Sequence, residues 1–420
     1  MNKLEHRNCP GATKAFFAAI VGLSATANAQ VEIVPFATTQ FEHGDNKITD
    51  IDEQSTSDFL RLTVGIDSKY SFGRQKLFLD AAYGNVSYNG LPESGDKEYA
   101  FRTGAQWLLG RYLDGTVEAL DQKQVPSFID SRVKGNSIQE ERRLTAAING
   151  QLSQRWRVET TAISRNLDTP IIEFENFGFR DTTTRAGLRY EASTRLSLGA
   201  EYENSDGRFR NSGSPGLVPY TQRTPAGTIK YGANELGSVQ LRLGRTERKQ
   251  ENEPEAFREY SGDISIERVL TGKTSVNFQA RRRIDNFFGT EAGAFALIDT
   301  WNAGINWKAT GKSTLYLDIG QSRKEFLSDG VGKLPRTDEL AVTKGRIDRT
   351  RSIYLNLDNE TLPWLTTSVY VKYDVVNSNK LPVDPPPGGV PVVDPPPIGF
   401  DFEGFLVGLK FEARFLEERP

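Results

Sequence analysis

Two short motifs carry the residue types of a phosphate site, Thr271-Gly272-Lys273-Thr274 and Thr310-Gly311-Lys312-Ser313. A phosphate-cradling loop also needs an upstream glycine, because its backbone N–H groups wrap the anion. Glu267 and Asn306 occupy that position, so both motifs read as the glycine-containing turns of hairpins. Nucleophilic catalysis is equally poorly provided for. His43 is the one histidine after residue 29, and no serine nucleophile motif accompanies it. Asp45, Asp50 and Asp52 lie close by without EF-hand spacing and read as a solvated acidic loop. The single cysteine, Cys9, lies in the N-terminal segment, which leaves no disulfide framework and no thiolate metal site. No enzyme, cofactor or metal is therefore expected. The formal net charge of −3 argues against nucleic acid as a partner. What remains is non-covalent chemistry, in a large set of arginines and carboxylates placed at alternate positions along the chain.

The elements that position this set are strands. From Val31 to Phe415, segments of about ten residues alternate apolar with polar, and side chains in a strand point to opposite faces with period 2. Phe405, Val407, Leu409, Phe411, Ala413 and Phe415 share one face of the last segment, with Lys410, Glu412 and Arg414 on the other. Leu60, Leu62, Val64 and Ile66 behave likewise, as do Leu196, Leu198, Ala200 and Tyr202, then Val239, Leu241 and Leu243, then Val276, Phe278 and Ala280. Eight short turns are expected near Ser71–Gln75, Leu109–Arg111, Ser153–Arg155, Ala192–Thr194, Asn234–Leu236, Thr271–Lys273, Thr310–Lys312 and Asn359–Pro363. Nine longer polar connections, at 42–57, 89–97, 126–138, 167–180, 204–222, 249–256, 287–294, 326–347 and 378–399, alternate with them. The pattern predicts an all-β fold, a transmembrane antiparallel up-and-down β-barrel of about 18 strands, within a range of 16–18.

Residues 1–29 read as a secretory signal. Lys3, Arg7 and Lys14 precede the apolar run Ala15–Ala25, and Ala27-Asn28-Ala29 fits a cleavage site between Ala29 and Gln30. The barrel domain would then be 30–420, placed in the outer membrane of a Gram-negative bacterium with outer-membrane lipid around it. Trp107, Trp156, Trp307 and Trp364 lie close to short turns, as expected of an interfacial aromatic girdle. Trp364 has the opposite parity to the other three, so either its turn slips in register or it points inward.

Arg at the bilayer midplane costs roughly 2–4 kcal/mol, so the apolar face meets lipid and the charged face lines the interior. The candidate lumen residues are Arg61, Asp67, Arg157, Glu159, Arg165, Arg195, Glu201, Arg242, Arg281, Arg283, Asp318 and Lys372. Guanidinium forks bind carboxylates or sugar hydroxyls and would favour anionic cargo; Arg–Glu pairs could equally brace the wall. Phe174, Phe177 and Phe179, with Phe287 and Phe288, are loop aromatics suited either to sugar-ring faces or to packing a loop into the pore mouth. Val383-Asp384-Pro385-Pro386-Pro387, repeated at Val393–Pro397, is expected to be an extended spacer.

On the run of regular hairpins, the signal, the near absence of cysteine and the closing Phe-rich strand, the chain resembles the EpsL-like outer-membrane barrels encoded with exopolysaccharide biosynthesis genes. That resemblance implies a pore for exopolysaccharide secretion, with polysaccharide in the lumen and periplasmic export components as partners. The alternatives are a general or sugar-selective diffusion porin taking small sugars, and a structural or adhesive barrel with a blocked lumen.

Overall fold

Alternation along the chain builds one closed sheet. The computed structural model describes residues 29–48, 53–89, 95–124, 138–171, 174–209, 218–234, 236–251, 255–286, 295–327, 332–333, 340–341, 346–379 and 401–415. The strands are β1 (Ala29–Ile48), β2 (Glu53–Phe72), β3 (Gln75–Asn89), β4 (Gly95–Leu109), β5 (Leu113–Gln124), β6 (Gln139–Gln151), β7 (Trp156–Ile171), β8 (Phe174–Glu191), β9 (Leu196–Phe209) and β10 (Tyr220–Asn234). They continue as β11 (Gly237–Gln250), β12 (Phe257–Thr271), β13 (Thr274–Asn286), β14 (Phe295–Lys308), β15 (Ser313–Phe326), β18 (Ile347–Leu362), β19 (Leu365–Ser378) and β20 (Phe402–Arg414). Between β15 and β18 a separate two-residue hairpin joins β16 (Gly332–Lys333) to β17 (Leu340–Ala341). The other 18 strands form one antiparallel sheet, and β20 closes it on β1 from Phe36↔Arg414 to Ile48↔Phe402. Closure gives every one of these strands a partner on both sides, and the count meets the upper end of the expected range.

Seven of the eight short turns lie where the sequence places them, and their local chemistry explains why. Gly73 and Gly110 sit at φ 57° and 61°, a region costly for residues with a Cβ. At Ser153, Ser193 and Thr310 the side-chain oxygen accepts N–H groups two and three residues on. These bonds run from Arg155 (3.3 Å) and Trp156 (3.2 Å), from Arg195 (3.2 Å) and Leu196 (3.1 Å), and from Lys312 (3.1 Å) and Ser313 (2.9 Å). Such side-chain turns replace backbone bonds that the ladder cannot make at its end. Both Thr-Gly-Lys motifs are hairpin turns of this kind.

Four connections differ from expectation, one of them the loop 204–222, which contracts to 210–219 between β9 and β10. The first long loop contracts from 42–57 to 49–52, because β1 and β2 stay paired to Ile48↔Glu53. The second, 167–180, contracts to 172–173, with Ile171 opposite Phe174. Glu53–Ser57 carries no apolar residue and Thr169–Phe177 no period-2 alternation, so both lack the signal by which strands are read. At the last turn β18 runs on to Leu362, with a register shift between Glu360 and Leu362. That shift settles the parity of Trp364: it sits in the turn, exposed, and stacks on Phe415 at 6.2 Å between ring centroids.

The apolar faces point outward. Leu62, Val64, Leu198, Tyr202, Leu243, Ile305, Leu355, Phe405 and Phe411 are all exposed large hydrophobics, as an outer belt requires. Trp156 and Trp307 are exposed close to the short turns, and Trp156 contacts Tyr190 at 4.9 Å. The closing seam is held from inside. Tyr370 on β19 lies across Gly408 on β20, where an added Cβ would stand 2.0 Å from its ring. The Tyr370 hydroxyl donates to Glu42 Oε1 (2.7 Å) and accepts from Gln40 Nε2 (2.7 Å), both on β1. Glycine at 408 thus lets one ring bridge three strands.

Candidate lumen site

The inward register follows from the ladder pairing. Arg157 and Glu159 on β7 share a face with Arg185 and Arg189 on β8, Glu201 and Glu203 on β9, Lys230 on β10 and Arg242 on β11. Nine of the twelve sequence candidates meet an opposite charge, on the adjacent strand, two strands away across the inner face, or two residues along the same strand. Arg61 Nε pairs with Glu98 (2.9 Å), Asp67 with Arg414 Nη1 (3.0 Å) and Arg157 with Asp114 (2.6 Å). Glu159 accepts from Arg189 (2.5 Å), Arg165 pairs with Asp181 (2.8 Å), and Glu201 with Arg242 (2.5 Å). Arg283 reaches Asp285 (2.7 Å) and Lys372 reaches Asp374 (3.1 Å), while Asp318 accepts a long bond from Asn302 (3.5 Å). Arg281 is exposed on the inner face of β13 and makes no ion pair among the described residues. Arg195 is a correction: it lies in the turn between β8 and β9, where its N–H is taken by Ser193, and not on the lumen wall.

The loop aromatics also need correcting. Phe179 belongs to β8, not to a loop, and is buried at 3% exposure against Phe209 (5.1 Å) and Tyr220 (6.4 Å). It is a packing residue with no face open to a glycan. Phe174 and Phe177 also lie on β8 by backbone, though their side chains are outside the described residues, as are Phe287, Phe288 and the proline repeats.

Sequence periodicity missed the feature that shapes the lumen. β12 pairs with β13 only as far as Gly262↔Arg282, although both strands continue beyond that point. Above it, β13 pairs with β14 alone, up to Asn286↔Phe295. On the wall β13 stands two strands from β11 and three from β10, about 10–15 Å away at normal strand spacing. Yet Asn286 Nδ2 donates to the Tyr220 hydroxyl on β10 (2.9 Å), and Arg248 Nη2 on β11 donates to Asn286 Oδ1 (2.6 Å). The Arg248 guanidinium lies 3.5 Å from the Tyr220 ring centroid and 4.6 Å from that of Phe295. These contacts require the upper β13–β14 hairpin to lean into the barrel across β10–β12. Ile284, Phe295 and Leu297 are buried there with Phe257 of β12 beside them. Thr224, Thr246 and Ser261, joined by hydroxyl bonds of 2.9 and 2.8 Å, are buried on the same stretch of wall. Small hydroxyl side chains leave room for the hairpin and satisfy one another beneath it.

A cavity of about 730 Å³ opens on the inner wall of β6–β13 and includes the base of the leaning hairpin. Its lining carries nine cations, among them Arg165, Arg185, Arg189, Lys230, Arg242 and Arg281, and six carboxylates. The excess of cations runs against the acidic balance of the whole chain. Arg185, Arg189 and Lys230, which the sequence reading omitted, share the parity of the candidates beside them and were legible by that rule alone.

Comparison with solved structures gives a likeness of fold. OccK2 (OpdF) of Pseudomonas aeruginosa aligns with a TM-score of 0.50 at 9% identity, covering 92% of this chain and 98% of that one. OpdO of the same organism gives 0.49 at 9% identity, covering 91% and 98%. The P. aeruginosa outer membrane protein OpdK gives 0.48 at 10% identity, covering 91% and 99%. No protein-family model matches the chain, and no curated protein matches its sequence. A closed, even-stranded barrel with an apolar outer belt is an outer-membrane architecture.

Proposed function

We propose that this barrel is an outer-membrane diffusion pore for small hydrated solutes, with a preference for anions. The observation that carries the reading is the polar cavity beside the leaning hairpin, lined by nine cations and six carboxylates. Eighteen strands enclose a bore wide enough for water, and fixed charges at a narrowing select by sign. The wall pairs hold the guanidiniums in place. Arg281, which has no ion-pair partner among the described residues, and Lys230 offer charge to a passing solute. A threaded polysaccharide needs an unobstructed bore, whereas here a hairpin crosses part of the lumen. Uptake or exchange of small solutes therefore stands ahead of exopolysaccharide export, for which the EpsL-like texture of the sequence is the support.

The test is conductance of the purified protein in planar bilayers, with the reversal potential measured across a KCl gradient. Discrete openings with chloride favoured over potassium are expected. Silence at every voltage would overturn the pore reading. Polymer retained in the periplasm of a deletion strain, with small-solute uptake unchanged, would restore export in its place.

A further inference from the structure

Six of the eight short turns end in a cation at their last or next-to-last position: Arg74, Arg111, Arg155, Arg195, Lys273 and Lys312. The turns themselves do not need these side chains, since glycine and the Ser/Thr oxygens close them. All six are exposed, and none makes an ion pair with a carboxylate among the described residues. This contrasts with the interior, where most of the candidate cations meet a carboxylate. Glu191, Glu267 and Glu360 share the rim without pairing to any of the six. The contacts the rim arginines do make are to backbone and aromatic groups. Arg74 Nη1 donates to the Gly110 carbonyl of the next turn (2.8 Å), Arg155 Nη1 donates to the Tyr190 hydroxyl (3.1 Å), and Arg111 lies 4.8 Å from the Tyr112 ring centroid. Tyr112 is exposed, and Tyr190 packs on the exposed Trp156.

Exposed aromatics at a barrel rim mark headgroup depth, so these cations lie level with lipid phosphates. Neighbouring short turns are two strands apart, about 10 Å along the rim. Each guanidinium or ammonium therefore has room to meet a separate headgroup, and cations near an anionic leaflet are drawn to it. We propose that the short-turn rim is a binding ring for anionic glycerophospholipids, with the six turn cations seating their phosphates. On this reading the lysines of the two Thr-Gly-Lys turns meet phosphate at a membrane surface. The inference is independent of what passes through the lumen.

The experiment uses the full barrel in vesicles of phosphatidylcholine containing phosphatidylglycerol, with spin-labelled lipids reporting the relative association of each with the protein. Wild type is expected to prefer phosphatidylglycerol severalfold. The R74Q/R111Q/R155Q/R195Q/K273Q/K312Q variant should fall to parity, with conductance and heat-modifiable gel mobility unchanged. Exchanging the four arginines for lysine should retain the preference. Parity in wild type, or an undiminished preference in the glutamine variant, overturns the proposal. Should the sixfold variant not assemble, R111Q/R155Q and K273Q/K312Q each test it through a partial loss, and a full preference in both overturns it.

Discussion

Arg248 is the residue on which the narrowing of the lumen turns, and Arg248→Ala tests that directly. Its guanidinium rests on the Tyr220 ring of the wall and reaches the hairpin through two contacts, over the Phe295 ring and to Asn286 Oδ1. Cation–π contacts contribute about 0.5–2 kcal/mol each and a charge-assisted hydrogen bond about 1.5–3. Because neighbouring terms do not add fully, truncation should weaken docking by about 2–4 kcal/mol. At about 1.4 kcal/mol per decade, the undocked fraction rises roughly 30- to 700-fold. A natural reporter is available, since the chain after Cys9 has no cysteine. Leu297, 4% exposed on the docked face, can be changed to cysteine and its reaction with a membrane-impermeant thiol reagent timed. In the Arg248→Ala background the labelling rate should climb by a factor in that range, and single-channel currents should show larger, noisier openings. Arg248→Lys, which keeps a charge over the rings and loses the fork, should fall between. Equal labelling rates with identical currents, in a variant that keeps heat-modifiable mobility, would refute the docked-hairpin reasoning.

Other outcomes follow from the same coordinates. R281E/R283E changes the cavity lining from nine cations and six carboxylates to seven and eight, so the reversal potential should move toward cation preference; an unmoved potential would contradict the lumen assignment. Gly408→Ala sets a Cβ 2.0 Å from the Tyr370 ring at the closing seam and should lower stability by about 1–3 kcal/mol, read as a lower urea midpoint, with no change counting against the seam argument. Trp301 lies six residues along β14 from Trp307 on the same outward face, about 14 Å deeper for a strand tilted near 45°. Single-tryptophan variants should thus show Trp301 quenched best by bromines far down the acyl chain and Trp307 by those near the headgroup. The reverse order would invalidate the outward register.

The strand count and the short turns were legible because two local signals coincide there. Apolar alternation runs close to most turns, and at six of them Gly, Ser or Thr breaks it, by a left-handed φ at Gly73 and by side-chain hydrogen bonds at Ser153 and Thr310. The far ends of β1–β2 and β7–β8 were not legible, since the polar run Glu53–Ser57 and the unalternating run Thr169–Phe177 carry no period-2 signal. Period 2 reports a difference between two environments, and it falls silent where both are water.

The leaning hairpin exposes a second limit of the same signal, and also its remedy. On β13 one face carries Val276, Phe278 and Ala280 toward the outside, then Arg282, Ile284 and Asn286 by the same parity. Alternation alone marks Ile284 as another outward residue, although it is buried against the inner wall. The distinguishing residues are the polar ones on that face. A lipid-facing row would be costly with Arg282 and Asn286 in it, whereas a wall offers them partners: Glu259 at 3.3 Å for Arg282, and Tyr220 and Arg248 for Asn286. The wall has its own mark, for Thr224, Thr246 and Ser261 stand where β10–β12 would otherwise carry long charged side chains. A polar break in an apolar row, opposite small hydroxyl residues on strands two or three positions away, is therefore the pattern by which an inward-folded hairpin declares itself in a barrel sequence. In this chain that pattern falls beside the cavity lined by nine cations, which ties the leaning hairpin and the proposed charge selectivity to one set of residues.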